Sequence, residues 1–194
     1  MKASHSLIRR DDCALLVIDV QDYFLNKLPE GDRGPLVARI GWLMRVAQVL
    51  EIPILATAED IARDGPLVPA LSALLPRGQT VFDKRVFGLR DQADIAEAMH
   101  ALGRRTSVLV GLETDVCIAQ SALSLADAGY RAVVIDDACG SPAPNHAAGL
   151  RRMRDAGVMV TNTKGIFYEW VRDLAVHAKV LGAIGREPPP GVML

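Results

Sequence analysis

One feature constrains this chain more than any other: short apolar runs alternate with longer segments of helical period from end to end. The runs are Leu15–Asp19, Ile52–Thr57, Gln79–Lys84, Ser107–Gly111, Ala132–Asp136 and Val158–Thr161, rich in Val, Ile and Leu. A strand that is apolar on both sides must be covered on both sides, which is the condition inside a parallel sheet. Between the runs, Leu36, Val37, Ile40, Leu43, Met44, Ala47 and Leu50 repeat at the spacing of one helix face. Ile95, Met99 and Leu102 mark a second helix, Ile118, Ala122, Leu125 and Ala126 a third, and Ala147, Leu150 and Met153 a fourth. A last helix runs from Ile166 to Leu181. This order predicts an α/β fold, a single three-layer α/β/α domain around a six-stranded, mainly parallel sheet.

The domain is expected to span residues 12–182, with an N-terminal extension at 1–11 and a Pro-rich tail at 183–194. Asn26–Pro35 reads as a polar loop, and Glu187-Pro-Pro-Pro-Gly191 cannot be helical, so it is expected to leave the domain as a tail. With 50% hydrophobic and 23% charged residues in 194, the disordered classes are excluded. The apolar stretch from Cys13 to Ile18 falls far short of the roughly 20 residues that a membrane span needs. The first twelve residues lack the apolar region of a signal peptide. Twenty-two basic residues against 23 acidic ones, with no block of one sign, give no basic surface for nucleic acid. Cysteines at 13, 117 and 139 form no C-x-x-C pair, which predicts a reduced, cytoplasmic protein.

Open parallel sheets bind ligands at the carboxyl ends of their strands, so those ends are where chemistry is sought. The first run ends in Asp19, the third in Phe82-Asp-Lys84, and the fourth in Gly111-Leu-Glu-Thr-Asp-Val-Cys117. A single cysteine is most often a small buried hydrophobe, and Cys13 and Cys139 fit that description. Cys117 differs, because Thr114 as an N-cap would place its thiol in the first turn of a helix. There the helix dipole would draw the thiol pKa from about 8.5 toward roughly 3.5–7.5. A thiol nucleophile needs a base and a cation, which Asp19 and Lys84 supply.

These stretches resemble the isochorismatase-like cysteine hydrolases, the group that includes nicotinamidases and N-carbamoylsarcosine amidase. The matching segments are Leu15-Leu-Val-Ile-Asp-Val-Gln-Asp-Tyr-Phe24, Phe82-Asp-Lys84, Val110-Gly-Leu-Glu-Thr-Asp-Val-Cys-Ile-Ala-Gln-Ser-Ala122 and Gly129-Tyr-Arg-Ala-Val-Val-Ile-Asp-Asp-Ala138. The resemblance implies a catalytic triad of Asp19, Lys84 and Cys117 and a cis peptide between Leu112 and Glu113. It also implies an oxyanion hole from the backbone N–H groups of Glu113 and Cys117, with Phe24 lining the substrate pocket. Nicotinamidases carry an Asp-x-His metal motif after the second strand, where this chain reads Thr57-Ala-Glu-Asp60. His5, His100, His146 and His177 share no ligand spacing, so no metal and no cofactor are assigned.

The expected activity is cleavage of a C–N bond in a small amide or carbamoyl compound through a Cys117 thioester. A nucleotide-binding Rossmann protein would need G-x-G-x-x-G and a serine hydrolase G-x-S-x-G; neither occurs. A thiol-redox sensor, or a binding protein with an idle site, remains the competing reading. A mean hydropathy of +0.19 with near-zero net charge predicts a homo-oligomer, dimer or tetramer, as the resemblance also implies.

Overall fold

The computed structural model describes residues 7–194; the first six residues, His5 and part of the 1–11 extension among them, lie outside the description. The chain runs through β1 (Cys13–Ile18), α1 (Asp22–Leu25), α2 (Glu30–Val49), β2 (Ile54–Glu59), α3 (Ile61–Asp64), α4 (Pro69–Ser72), β3 (Val81–Lys84) and α5 (Ala93–Ala101). It continues through β4 (Thr106–Leu112), a π-helical turn at Thr114–Ile118, α6 (Ala119–Asp127), β5 (Arg131–Gly140), α7 (Asn145–Asp155), β6 (Met159–Thr161), α8 (Thr163–Val171) and α9 (Leu174–Ile184). The six strands form one sheet in the order β3-β2-β1-β4-β5-β6, and every pairing is parallel.

Alternation along β1 builds the layers. Leu15 and Val17 join a core with Trp42, Leu43, Phe167 and Trp170 from α2 and α8. Ala14, Leu16 and Ile18 join a second core with Ile95, Met99, Ile118, Leu125 and Met153 from the other sheet face. Both faces are therefore covered, as the continuous apolar runs require. Trp42 and Phe167 meet at 4.9 Å between ring centroids and tie α2 to α8. Among the described residues no helix is long and apolar enough to cross a membrane.

The strand order turns back between β1 and β4, and this opens a crevice at the carboxyl ends of the strands. The backbones come unusually close there. Gly111 has φ +127°, and a Cβ on it would lie 2.0 Å from the Ile18 carbonyl oxygen. Only glycine allows β4 to pass β1 at this point.

Several sequence-based boundaries move. The segment 26–35, expected as a loop, contains the start of α2 at Glu30, with Pro35 inside the helix. The carbonyl that Pro35 leaves without a helical partner belongs to the exposed Gly31, where water can reach it. The helix expected over Ile166–Leu181 is two helices, because Arg172 turns to φ +64° and Asp173 caps α9 by accepting from the Val176 N–H at 2.8 Å. The Pro-rich segment is not helical, but it does not extend away. Arg39 on α2 donates to the Pro190 carbonyl at 2.9 Å, and Val192 is buried.

Candidate active site

Four strand ends, adjacent in the order β3, β2, β1 and β4, deliver Lys84, Glu59, Asp19 and Cys117 to one place. Register sets this: Glu59 lies opposite Lys84, and Ile18 opposite both Thr57 and Gly111. Asp19 follows β1 directly in the left-handed region, at φ +51°, which aspartate tolerates better than most residues. Its amide donates to the Thr57 carbonyl at 3.1 Å, which fixes the turn.

Lys84 Nζ stands 2.9 Å from Asp19 Oδ2 and 3.1 Å from Glu59 Oε2, and donates to Cys117 Sγ at 3.6 Å and to the Val86 carbonyl at 2.5 Å. The side chains of Asp19 and Lys84 are fully buried. Thr57 donates its hydroxyl to Asp19 Oδ1 at 2.8 Å. Asp19 Oδ2 is close to the ammonium as an ion pair, but no donor meets it at hydrogen-bonding angle. That oxygen is therefore open to a proton. Cys117 donates its thiol hydrogen to Glu59 Oε2 at 3.2 Å.

Burial raises the Asp19 carboxyl above its ordinary range, against the pull of Lys84 and of the Thr57 hydroxyl. A more basic carboxylate is a better proton acceptor. Lys84 is lowered by burial, but the charges of Asp19, Cys117 and Glu59 outweigh this and raise it. The Cys117 thiol is pushed well up by burial and by the carboxylates of Asp19 and Glu59, with Lys84 opposing them. The expected lowering of this thiol by a helix dipole is thus corrected: two carboxylates and a dry site outweigh the dipole.

The turn that carries Cys117 also differs from expectation. Thr114 is not its N-cap. The Thr114 hydroxyl pairs with His146 Nδ1 at 2.8 Å, and the first turn is π-helical, closed by Ile118 N–H to the Glu113 carbonyl at 3.1 Å. That carbonyl also accepts from Val116 and passes over Cys117. The Leu112–Glu113 peptide is cis. Ser141 donates to Asp115 at 2.6 Å, and Gly149 of α7 lies so close that a Cβ there would be 2.7 Å from Asp115 Cα. The turn is pinned from behind.

Phe24, on α1, is buried in the core that includes Leu28 and Leu36, with Lys27 Nζ 4.6 Å from its ring centre. Lys27 in turn pairs with Glu113 at 3.1 Å, so the Phe24 helix and the turn before Cys117 are linked. The remaining cysteines, Cys13 and Cys139, are free and buried, and burial raises Cys13 to about 12. Oxygen and sulfur donors of Asp19, Glu59 and Cys117 lie within 4.8 Å of one another, an arrangement that could ligate a cation. Lys84 Nζ already stands at 2.9, 3.1 and 3.6 Å from these three residues and fills that position.

Glu59 is the residue that sequence reasoning missed. With the second strand expected to end at Thr57, Glu59 fell beyond the sheet; β2 in fact runs to Glu59 and carries it into the crevice.

The isochorismatase domain model matches residues 13–165, which cover the sheet and all four of these residues. The chain belongs to the isochorismatase domain family. Among its relatives, isochorismatase domain-containing protein 2B of Mus musculus is 31% identical over 190 residues, covering 96% of this chain and 87% of that protein. Isochorismatase family protein 2A of Dictyostelium discoideum is 32% identical over 163 residues and covers 80% of each. The YcaC gene product of Escherichia coli, described as an octameric hydrolase of unknown specificity, superimposes with a TM-score of 0.82 at 26% identity, over 93% of this chain and 91% of that one.

Proposed function

We propose that this protein is a cysteine hydrolase that cleaves a C–N bond of a small amide or carbamoyl compound through a thioester on Cys117. The observation that carries the reading is the meeting of a thiol, an ammonium and a raised carboxylate at the carboxyl ends of β4, β3 and β1, with Lys84 Nζ 2.9 Å from Asp19 and 3.6 Å from Cys117 Sγ. The S–H bond breaks as sulfur attacks the carbonyl carbon, and Asp19 receives the proton at Oδ2. The carbonyl π electrons move to oxygen, which the Glu113 and Cys117 N–H groups hold. The C–N bond then breaks and the amine leaves with the proton from Asp19. Water, deprotonated by Asp19, hydrolyses the thioester and restores the thiol. Lys84 stabilises the negative charge that passes through sulfur, and Phe24 forms an apolar wall beside the substrate.

The family and the hydrolase description of the YcaC neighbour support this reading. Release of ammonia or amine across a panel of primary amides, carbamoyl compounds and imides tests it. Turnover that disappears in Cys117→Ala is expected. No turnover on any member, with peroxide oxidising Cys117 to a state that a reductase recycles, would favour the redox reading instead.

The protein acts as a homo-oligomer in this reading, in a reducing, cytoplasmic compartment where its three buried thiols stay free. The octameric neighbour supports assembly, as do Leu174 at 85% and Met193 at 81% exposure on the α9 and C-terminal surface. Light scattering at micromolar concentration tests it; a monomer mass would contradict it.

A further inference from the structure

We infer that Glu59 is a specificity-determining residue: its carboxylate, beside the nucleophilic sulfur, admits neutral carbonyl substrates that carry N–H donors and turns away those that carry a carboxylate. The inference rests on the thiol-hydrolase reading and names the substrate class within it.

Position comes first. Glu59 Oε2 is 3.2 Å from Cys117 Sγ, and the side chain is only 12% exposed, so water screens its charge weakly. A carbonyl carbon poised for attack sits about 3–3.5 Å from the sulfur. An approach from the Glu59 side brings the nitrogen bonded to that carbon within hydrogen-bonding reach of this carboxylate. The residue is also held in place. Gln21 accepts from the Glu59 N–H at 2.7 Å and donates to its carbonyl at 2.7 Å, while the same amide nitrogen donates to the Gly65 carbonyl at 2.6 Å. The backbone of Glu59 cannot swing aside to make room.

Charge follows. Among the described residues, the cation that touches the nucleophile is Lys84, and it is shared between Asp19 and Glu59. Arg63 stands 3.8 Å from Glu59 Oε1 but is bound to Asp64 at 2.6 Å, and Lys27 is bound to Glu113. An incoming substrate therefore meets an excess of negative charge. Ionised carboxylate oxygens only accept hydrogen bonds. Asp19 Oδ1 already accepts from Thr57 and Oδ2 faces the Lys84 ammonium, whereas Glu59 Oε1 faces Arg63 only at 3.8 Å. An amide or ureido N–H satisfies that oxygen; a second carboxylate is repelled by it.

Alkylation of Cys117 by iodoacetamide and by iodoacetate, followed by peptide mass spectrometry, provides the test. The two reagents are nearly equal in size, so the opening needed to reach a 2% exposed cysteine cancels in their ratio. One presents an amide, the other a carboxylate. The wild-type protein should favour iodoacetamide at Cys117 at least tenfold more than 2-mercaptoethanol does, and Glu59→Gln should lose most of that excess. The wild-type ratio stands even if the variant does not fold. A preference equal to that of the free thiol, or one unchanged in folded Glu59→Gln, overturns the assignment. Because the readout needs no turnover, excess preference without amide hydrolysis contradicts the hydrolase reading alone, and amide hydrolysis through Cys117 without excess preference contradicts the role of Glu59 alone.

Discussion

Lys84 Nζ lies 2.9 Å from Asp19 Oδ2, and both side chains are shut off from solvent. Burying two charges is costly unless each compensates the other, and removing one strands its partner. The pair is thus a structural commitment in its own right.

Replacing Lys84 by Met should lower stability by about 3–5 kcal/mol, because Asp19 becomes an unpaired buried carboxylate. Adding Asp19→Asn should recover much of that loss, since the stranded charge disappears. Urea unfolding of the two single variants and the double variant measures the coupling. In the same Lys84→Met protein the Cys117 thiol loses the favourable charge of the ammonium, so alkylation at neutral pH should slow further.

Alkaline pH should destabilise the fold. Burial raises Cys13 to about 12 and raises Cys117 and Cys139 as well. Above pH 9 the unfolded thiols lose protons that the folded ones keep, so stability falls as pH rises, by roughly 1.4 kcal/mol per pH unit for each thiol. Lys84, also raised in the fold, acts with the same sign: its contribution is whole below its ordinary value of 10.5 and is lost as pH climbs through the raised one. Denaturation midpoints from pH 8 to 11 should decline, and Cys139→Ala should flatten the slope. At the acid end the limb of kcat/KM should lie above the ordinary aspartate value of 3.8, because Asp19 is raised.

Gly149→Ala should damage the site more than the helix. Alanine favours α7 by about 1 kcal/mol in propensity. Its Cβ would stand 2.7 Å from Asp115 Cα and 2.9 Å from the Asp115 nitrogen, both backbone atoms of the turn that holds Cys117. The turn must shift, and a displacement of about 1 Å can cost on the order of a hundredfold in rate. A folded variant by circular dichroism, with kcat reduced at least tenfold, is expected; unchanged kcat would show that the turn does not depend on α7.

Chelators should leave turnover unchanged, because Lys84 occupies the place a cation would take between Asp19, Glu59 and Cys117. Stoichiometric metal by elemental analysis, together with activity lost in chelator, would contradict this.

The layers of this fold are written in its apolar spacing. Leu15 and Val17 face one core and Leu16 and Ile18 the other, so a run apolar at every position could only be a strand covered on both sides. That Asp19, Lys84 and Cys117 meet was legible because strand ends converge in such sheets. Glu59 was not, since two more residues of β2 decide whether it enters the crevice, and the polar Thr57 and Glu59 hide that extension. The state of the thiol was not legible either. A helix start suggests a lowered pKa, but the opposing carboxylates come from strands 98 and 58 residues away along the chain and are known only from the fold. Arg172 in left-handed conformation, which splits the last helix, has no glycine to announce it.

The central claim is that Cys117 forms a covalent acyl intermediate with Asp19 as its base. Mass spectrometry of wild-type enzyme quenched during turnover of an amide that it hydrolyses tests this most directly. The expected result is an acyl adduct on the peptide that contains Cys117, absent in Cys117→Ala and strongly reduced in Asp19→Asn. An adduct confined to another residue, or full activity in Cys117→Ala, would contradict it.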